Sequence, residues 1–383
     1  MEPQAYIAGA VRTPVGRRNG GLSGVHPVDL AAHVLAELMA RTGADPSAVD
    51  DVIMGCVSQV GPQSTDIARH AWLAAGLPEN VPGVAIDRQC GSSQQAVHFA
   101  TLGVMSGLQD LVVAGGVESM SMVPMTSPVT LALEKGMPPL FGQGWRDRYG
   151  DQEITQHRGA QLMCEKWGFT RPVLERYALE SHARAVRAID EGRFVPEITP
   201  LAGLTIDEGP RRDTSLEQMA RLKPLREGWE VTAATSSQIS DGAGALLIAS
   251  QAAVGRYGLT PRARIHAMAV TGSDPVLMMT AVIPATEQVL ARGHLRVEDI
   301  DVFEVNEAFA PVPLAWAAEV GGPPEKTNPN GGAIALGHPL GATGAILMTR
   351  LLHELERSGG RYGLLTMCEG GGQANATIIE CLA

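Results

Sequence analysis

A chain of 383 residues with 45% hydrophobic content can bury a large core, as two or three domains or one large unit. Its net charge of −11 argues against nucleic acid and anionic membranes as partners, but leaves room for an anionic small molecule at a local basic patch. Five scattered cysteines, at 56, 90, 164, 368 and 381, form no CxxC pair and no metal-ligand spacing, which predicts a reducing, cytoplasmic setting.

Residues 6–11 read as a strand without the features of a signal peptide, and nowhere is there an uninterrupted apolar run of about 18 residues that would predict a membrane span. A glycine-rich loop covers 16–24. Pro27 opens a helix with Leu30, Val34 and Leu38 at helical spacing, closed by Gly43. Residues 52–54 predict a strand, and 67–75 a helix ending at Gly76. An apolar run at 81–86 leads into Asp87-Arg88-Gln89-Cys90-Gly91-Ser92-Ser93, and good helix formers follow to 105. This reads as strand, sharp turn, helix, with Cys90 on the first helical residue and Ser92 or Ser93 as caps. A thiol at a helix N-terminus ionises more easily, and the thiolate is the nucleophile. Gly91 would let a substrate approach the backbone. A buried structural cysteine fits the same stretch.

Residues 111–114 predict a strand buried on both faces and ended by Gly115-Gly116. Such alternation implies an α/β fold with a largely parallel sheet. Residues 120–230 interrupt it, with helices over 158–192 too apolar for a free linker, and read as an inserted loop domain over the sheet. Alternation resumes near 240. Strands are expected at 243–249, 264–270 and 301–305, helices at 283–291 and 341–357, and a terminal hairpin of 364–367 with 376–380. The parts around 90–116 and 331–372 echo each other, which predicts duplicated halves, 1–250 and 251–383.

Two further stretches carry chemistry. Asn330 to Gly344 holds five glycines around His338-Pro339, the pattern expected where backbone must approach a ligand. Met367-Cys368-Glu369-Gly370-Gly371-Gly372 ends a strand on a cysteine beside free backbone N–H groups, which can form an oxyanion hole. A solvated His338 and a packed Cys368 are the ordinary alternatives.

Together with Arg12-Thr13-Pro14, Gly115 to Ser121 and Asn306-Glu307-Ala308-Phe309-Ala310, these stretches make the chain resemble the thiolases, acyltransferases of the 3-oxoacyl-CoA type. The details look closest to degradative actinobacterial members acting on fatty acids or steroid fragments. The resemblance implies a layered αβαβα core and no cofactor beyond coenzyme A as co-substrate. It implies Cys90 as the acyl-carrying nucleophile, His338 as its base and Cys368 as the acid/base at the α-carbon. Asn306 would hold a water in one oxyanion hole with His338; the N–H groups of Cys90 and Gly370 would form the other. Arg211 and Ser237 align with coenzyme A contacts, and a homodimer or homotetramer is expected. Many short-chain members carry His-Met where this chain has Thr155-Gln156, so acetoacetyl-CoA is not assumed as substrate. The alternatives are a biosynthetic acetoacetyl-CoA thiolase, a condensing ketosynthase and a non-catalytic lipid-binding relative. The last would lack Cys90 or His338, and a ketosynthase would usually lack Cys368.

Overall fold

A computed structural model describes residues 3–382. Its strands are β1 (Ala5–Arg12), β2 (Gly16–Arg17), β3 (Asp51–Gly55), β4 (Gly83–Ile86), β5 (Leu111–Ser119), β6 (Ser240–Ser250), β7 (Ala263–Gly272), β8 (Val302–Val305), β9 (Tyr362–Glu369) and β10 (Gln373–Cys381). They join in the order β4-β3-β5-β6-β1-β7-β10-β9-β8, with β2 on β6. The order is symmetric about the β1–β7 contact, β3-β5-β6-β1 answering β8-β9-β10-β7. That contact is two residue pairs long, Tyr6↔Arg264 and Ile7↔Ala263. Edge strand β4 has a trace in the second half, a single parallel bridge from Phe303 to Thr327. The expected duplication is therefore visible in the topology.

The sheet is not largely parallel. Among the described strands only β3–β4, β3–β5 and β8–β9 pair in parallel. The other pairings are antiparallel. Helical crossovers produce the parallel pairs. The long excursion instead returns as β6 running back along β5, and the Gly370-Gly371-Gly372 turn folds β10 onto β9. Nor does Gly115-Gly116 end β5, which runs on to Ser119.

Three apolar clusters define five layers. Helices Pro27–Thr42 and Ile67–Ala74 cover the outer face of the first half-sheet. Helices Val282–Gly293 and Pro311–Val320, with Gln156–Trp167 from the excursion, cover the outer face of the second. Between the half-sheets lie Ser92–Met105 and Thr343–Ser358, packed through Ala96, Ala100, Met348 and Leu352. The result is an αβαβα core.

Close contact between the central helices depends on glycine. A Cβ at Gly344 would lie 2.3 Å from the Gln94 amide nitrogen, and one at Gly116 would lie 2.2 Å from the Gly341 carbonyl oxygen. The Ala345 amide donates to Ser93 Oγ at 2.8 Å. These glycines clear room for protein backbone, not for the ligand that their clustering suggests. The consequence is positional: the starts of both central helices, bearing Cys90 and His338, meet at one place.

Candidate active site

Cys90 sits in the turn between β4 and its helix. The helix begins at Ser92 with Gly91 as N-cap, so Cys90 precedes the first helical residue. Neither serine caps it; the Ser92 hydroxyl bonds within the turn, to Gln89 O at 2.6 Å. Gln89 is held at φ 50, a left-handed conformation that costs a non-glycine residue about 1–3 kcal/mol and is characteristic of functional turns. Cys90 keeps partial solvent contact. Its thiol is nevertheless pushed up to about 12, first by burial and then by the charge of Glu369, with Glu118 and Asp87 adding. Burial and the nearby carboxylates work against the easy ionisation expected of a helix terminus.

His338 lies in the short loop before the second central helix, ahead of the turn Leu340–Ala342, and is buried. Its backbone N–H is held by Ser240 Oγ at 3.1 Å and Gln238 O at 3.2 Å. Nδ1 lies 2.7 Å from Thr343 Oγ1, whose hydroxyl donates to Pro339 O at 3.0 Å. Since that hydroxyl proton is spoken for, Nδ1 carries the imidazole proton and Nε2 is left with a lone pair, an assignment from the network. Asn306 Nδ2 donates to Nε2 at 3.4 Å. Burial lowers the imidazole to about 4, so it is neutral, and a base, at neutral pH.

Cys368, near the end of β9, is 1% exposed. Burial, then the charge of Cys90, raises its thiol well above the ordinary range, which places the two sulfurs in electrostatic reach and keeps Cys368 protonated. The backbone N–H groups of Cys90 and Gly370 meet no acceptor of hydrogen-bonding geometry among the described residues. Asn306 Oδ1 is likewise buried without a partner. These are donors and an acceptor set aside for something other than the fold.

A cavity of about 510 Å³ opens onto His338 and is lined by Arg211, Ser237, Met125, Gln156, His157 and Phe309, among others. Arg211 and Ser237 therefore fall on the site's approach. Thr155, expected over the acyl pocket, instead caps its helix by accepting from the Arg158 amide at 3.2 Å. Gln156 and His157 take its place on the wall.

Thr343, Glu118 and Glu369 were not legible as site residues. The Glu118 carboxylate accepts from the amides of Val57, Ser58 and Gly341 and from Gln63 Nε2, all within 3.1 Å, and so fixes the loop behind His338. Its position in Gly-Gly-Val-Glu, inside a strand buried on both faces, was the available signal: a carboxylate there needs partners.

Family models for the thiolase N-terminal and C-terminal domains match residues 5–252 and 259–381. The chain belongs to the thiolase family. It is 56% identical to a steroid 3-ketoacyl-CoA thiolase of Mycobacterium tuberculosis, over 99% of this chain and 94% of that one. It is 44% identical to a beta-ketoadipyl-CoA thiolase of Pseudomonas aeruginosa, over 99% and 100%. The crystal structure of the Bacillus anthracis acetyl-CoA acetyltransferase superposes with a TM-score of 0.89 at 36% identity, covering 100% of this chain and 99% of that one. This thiolase is accordingly an acyltransferase, and its family works on acyl-CoA thioesters and coenzyme A.

Proposed function

We propose that this thiolase cleaves a 3-oxoacyl-CoA with coenzyme A, giving acetyl-CoA and a shortened acyl-CoA through a thioester on Cys90. The observation that carries the reading is that Cys90 and His338 stand at the starts of two central helices packed through Gly344 on Gln94, the imidazole neutral and a protonated Cys368 within electrostatic reach of Cys90. His338 Nε2 takes the Cys90 proton as sulfur attacks the 3-oxo carbon. The C2–C3 bond then breaks and expels the enolate of acetyl-CoA. Cys368 protonates that enolate carbon. The His338 imidazolium returns its proton to the Cys368 thiolate. His338 then takes the proton of coenzyme A, whose sulfur attacks the Cys90 thioester, and passes that proton to Cys90 as the shortened product leaves. A thioester on cysteine lies close in energy to the coenzyme A thioester, so neither half-reaction is trapped. The free amides of Cys90 and Gly370 serve one oxyanion. Asn306, through a water, and His338 serve the other. Arg211 and Ser237 contact coenzyme A, which is the co-substrate; no other cofactor enters this scheme.

The substrate reading is a longer or bulkier 3-oxoacyl-CoA, from fatty-acid or steroid-fragment degradation. Supporting it are the apolar cavity wall of Met125, Leu225 and Phe309 and the similarity to the mycobacterial enzyme. A panel of 3-oxoacyl-CoA thioesters, assayed for coenzyme A-dependent cleavage, is expected to give higher kcat/KM for such substrates than for acetoacetyl-CoA. Preference for acetoacetyl-CoA would refute this.

The same reading includes an N-terminal half of 1–250, a C-terminal half of 251–383 and a cytoplasmic homodimer or homotetramer. Assembly is supported by the free edge of β4 and by Val84, Phe99 and Leu102, large apolar residues exposed beside it. No described helix is long and apolar enough to cross a membrane.

A further inference from the structure

Glu369 is the last residue of β9, between Cys368 and Gly370. Side chains alternate along a strand, so Glu369 turns away from the Cys368 side, toward the start of the Cys90 helix. It is 1% exposed, and neither carboxyl oxygen has a hydrogen-bond partner among the described residues. Its Oε1 lies directly over Gly91: a Cβ built there would meet it at 1.8 Å. The space beside the nucleophile's neighbour, expected to admit substrate, is filled by an unpaired carboxyl.

The groups facing this carboxyl come from three elements. Arg88, Asp87 and Cys90 face it from the turn, the Asn375 amide from β10, and Cys368 shares its strand. Arg88 Nη1 is bound to Gln373 Oε1 at 3.0 Å, its Nε is unpartnered, and no ion pair closes on Glu369. The Asn375 amide favours the ionised carboxylate. Glu118 also acts on Cys90, but its carboxylate is fully bonded. His98, on the Cys90 helix, is neutral. A buried carboxyl without partners keeps its proton. Burial pushes Glu369 up to about 8, with Arg88 opposing.

We propose that Glu369 is a positioning residue for the nucleophile: protonated, it lets Cys90 give up its proton; ionised, it holds Cys90 as an unreactive thiol and sets the alkaline limit of acyl transfer. The inference rests on Cys90 as the nucleophile. Glu369 itself exchanges no proton with substrate; the Cys90 proton goes to His338. As pH rises, the carboxylate charge appears and raises the Cys90 proton affinity along with it. The thiolate fraction then gains less per pH unit than an isolated thiol would.

The test reads the thiol directly, so it stands even where no 3-oxoacyl-CoA is cleaved. Iodoacetamide labelling of Cys90, followed by peptide mass spectrometry, is compared between wild type and Glu369→Gln. The variant-to-wild-type rate ratio is expected to be near one at about pH 6.5 and about tenfold at about pH 9.5, one unit of pKa being tenfold. Glu369→Asp, which keeps a carboxyl, should retain the wild-type pH dependence. A ratio constant across the range would overturn the proposal, since a structural role shifts all rates together. The wild-type minus Glu369→Gln difference infrared spectrum should show a carboxylic-acid carbonyl band that fades between the same two pH values. Its absence already at the lower pH would also overturn the proposal.

Discussion

Cys368→Ala is expected to keep acyl exchange between acyl-CoA and free coenzyme A within about tenfold, while losing thiolysis of a 3-oxoacyl-CoA by roughly 10²–10⁴. That loss is equivalent to about 3–5 kcal/mol of barrier. Exchange needs a nucleophile, a base and an oxyanion hole; it needs no proton at the α-carbon. Cleavage does need one, and Cys368 is buried, close to Cys90 and protonated at neutral pH. Cys90→Ala should lose both reactions. Assays of both reactions on both variants, with folding checked by thermal melt, decide the matter. An equal fall in exchange and cleavage for a folded Cys368→Ala would mean that Cys368 supports the nucleophile instead.

The largest stability effect is expected at Arg12. Its guanidinium is buried and binds Glu197 Oε1 at 2.7 Å and Asp207 in a fork, at 2.7 and 3.0 Å. Glu197 and Asp207 belong to the excursion, so Arg12 ties the loop domain that carries Arg211 to β1. Arg12→Met leaves two buried carboxylates facing each other without their cation, a loss of about 3–5 kcal/mol near neutral pH. The sign with pH follows from linkage. Burial already raises the proton affinity of Glu197, and losing Arg12 removes the charge that opposes this, so the deficit against wild type shrinks as pH falls and protonation neutralises it. Urea unfolding at about pH 7 and about pH 5 checks both the size and the trend. A wild-type midpoint at neutral pH would contradict the buried network.

Much of the site was legible because its signals are local. A strand, a sharp turn and a helix around Cys90 occupy one short stretch, and the glycine clusters near His338 and Cys368 are unmistakable. Strand direction was not local: whether β6 lies parallel or antiparallel to β5 depends on how a 120-residue excursion returns, which no periodicity records. The glycines of 331–344 were noticed but misassigned, since sequence does not say whether a close approach is to ligand or to the protein's own atoms, as at Gly344 on Gln94 and Gly341 on Cys56. The ionisation of Cys90 was misjudged for the same reason: the helix start was visible, while the burial of the thiol and the approach of Glu369 and Glu118, distant in sequence, were not. Thr343 escaped because a threonine five residues after a histidine has no special meaning until the intervening turn folds back.

The central claim is a covalent acyl group on Cys90. The protein would be incubated with an acyl-CoA, without added coenzyme A, and quenched in acid. Peptide mass spectrometry then locates the label. An acyl mass is expected on the peptide bearing Cys90, removed by later addition of coenzyme A and absent in Cys90→Ala. Acyl label on Cys368 with Cys90 unmodified, or turnover in Cys90→Ala at the wild-type rate, would contradict it.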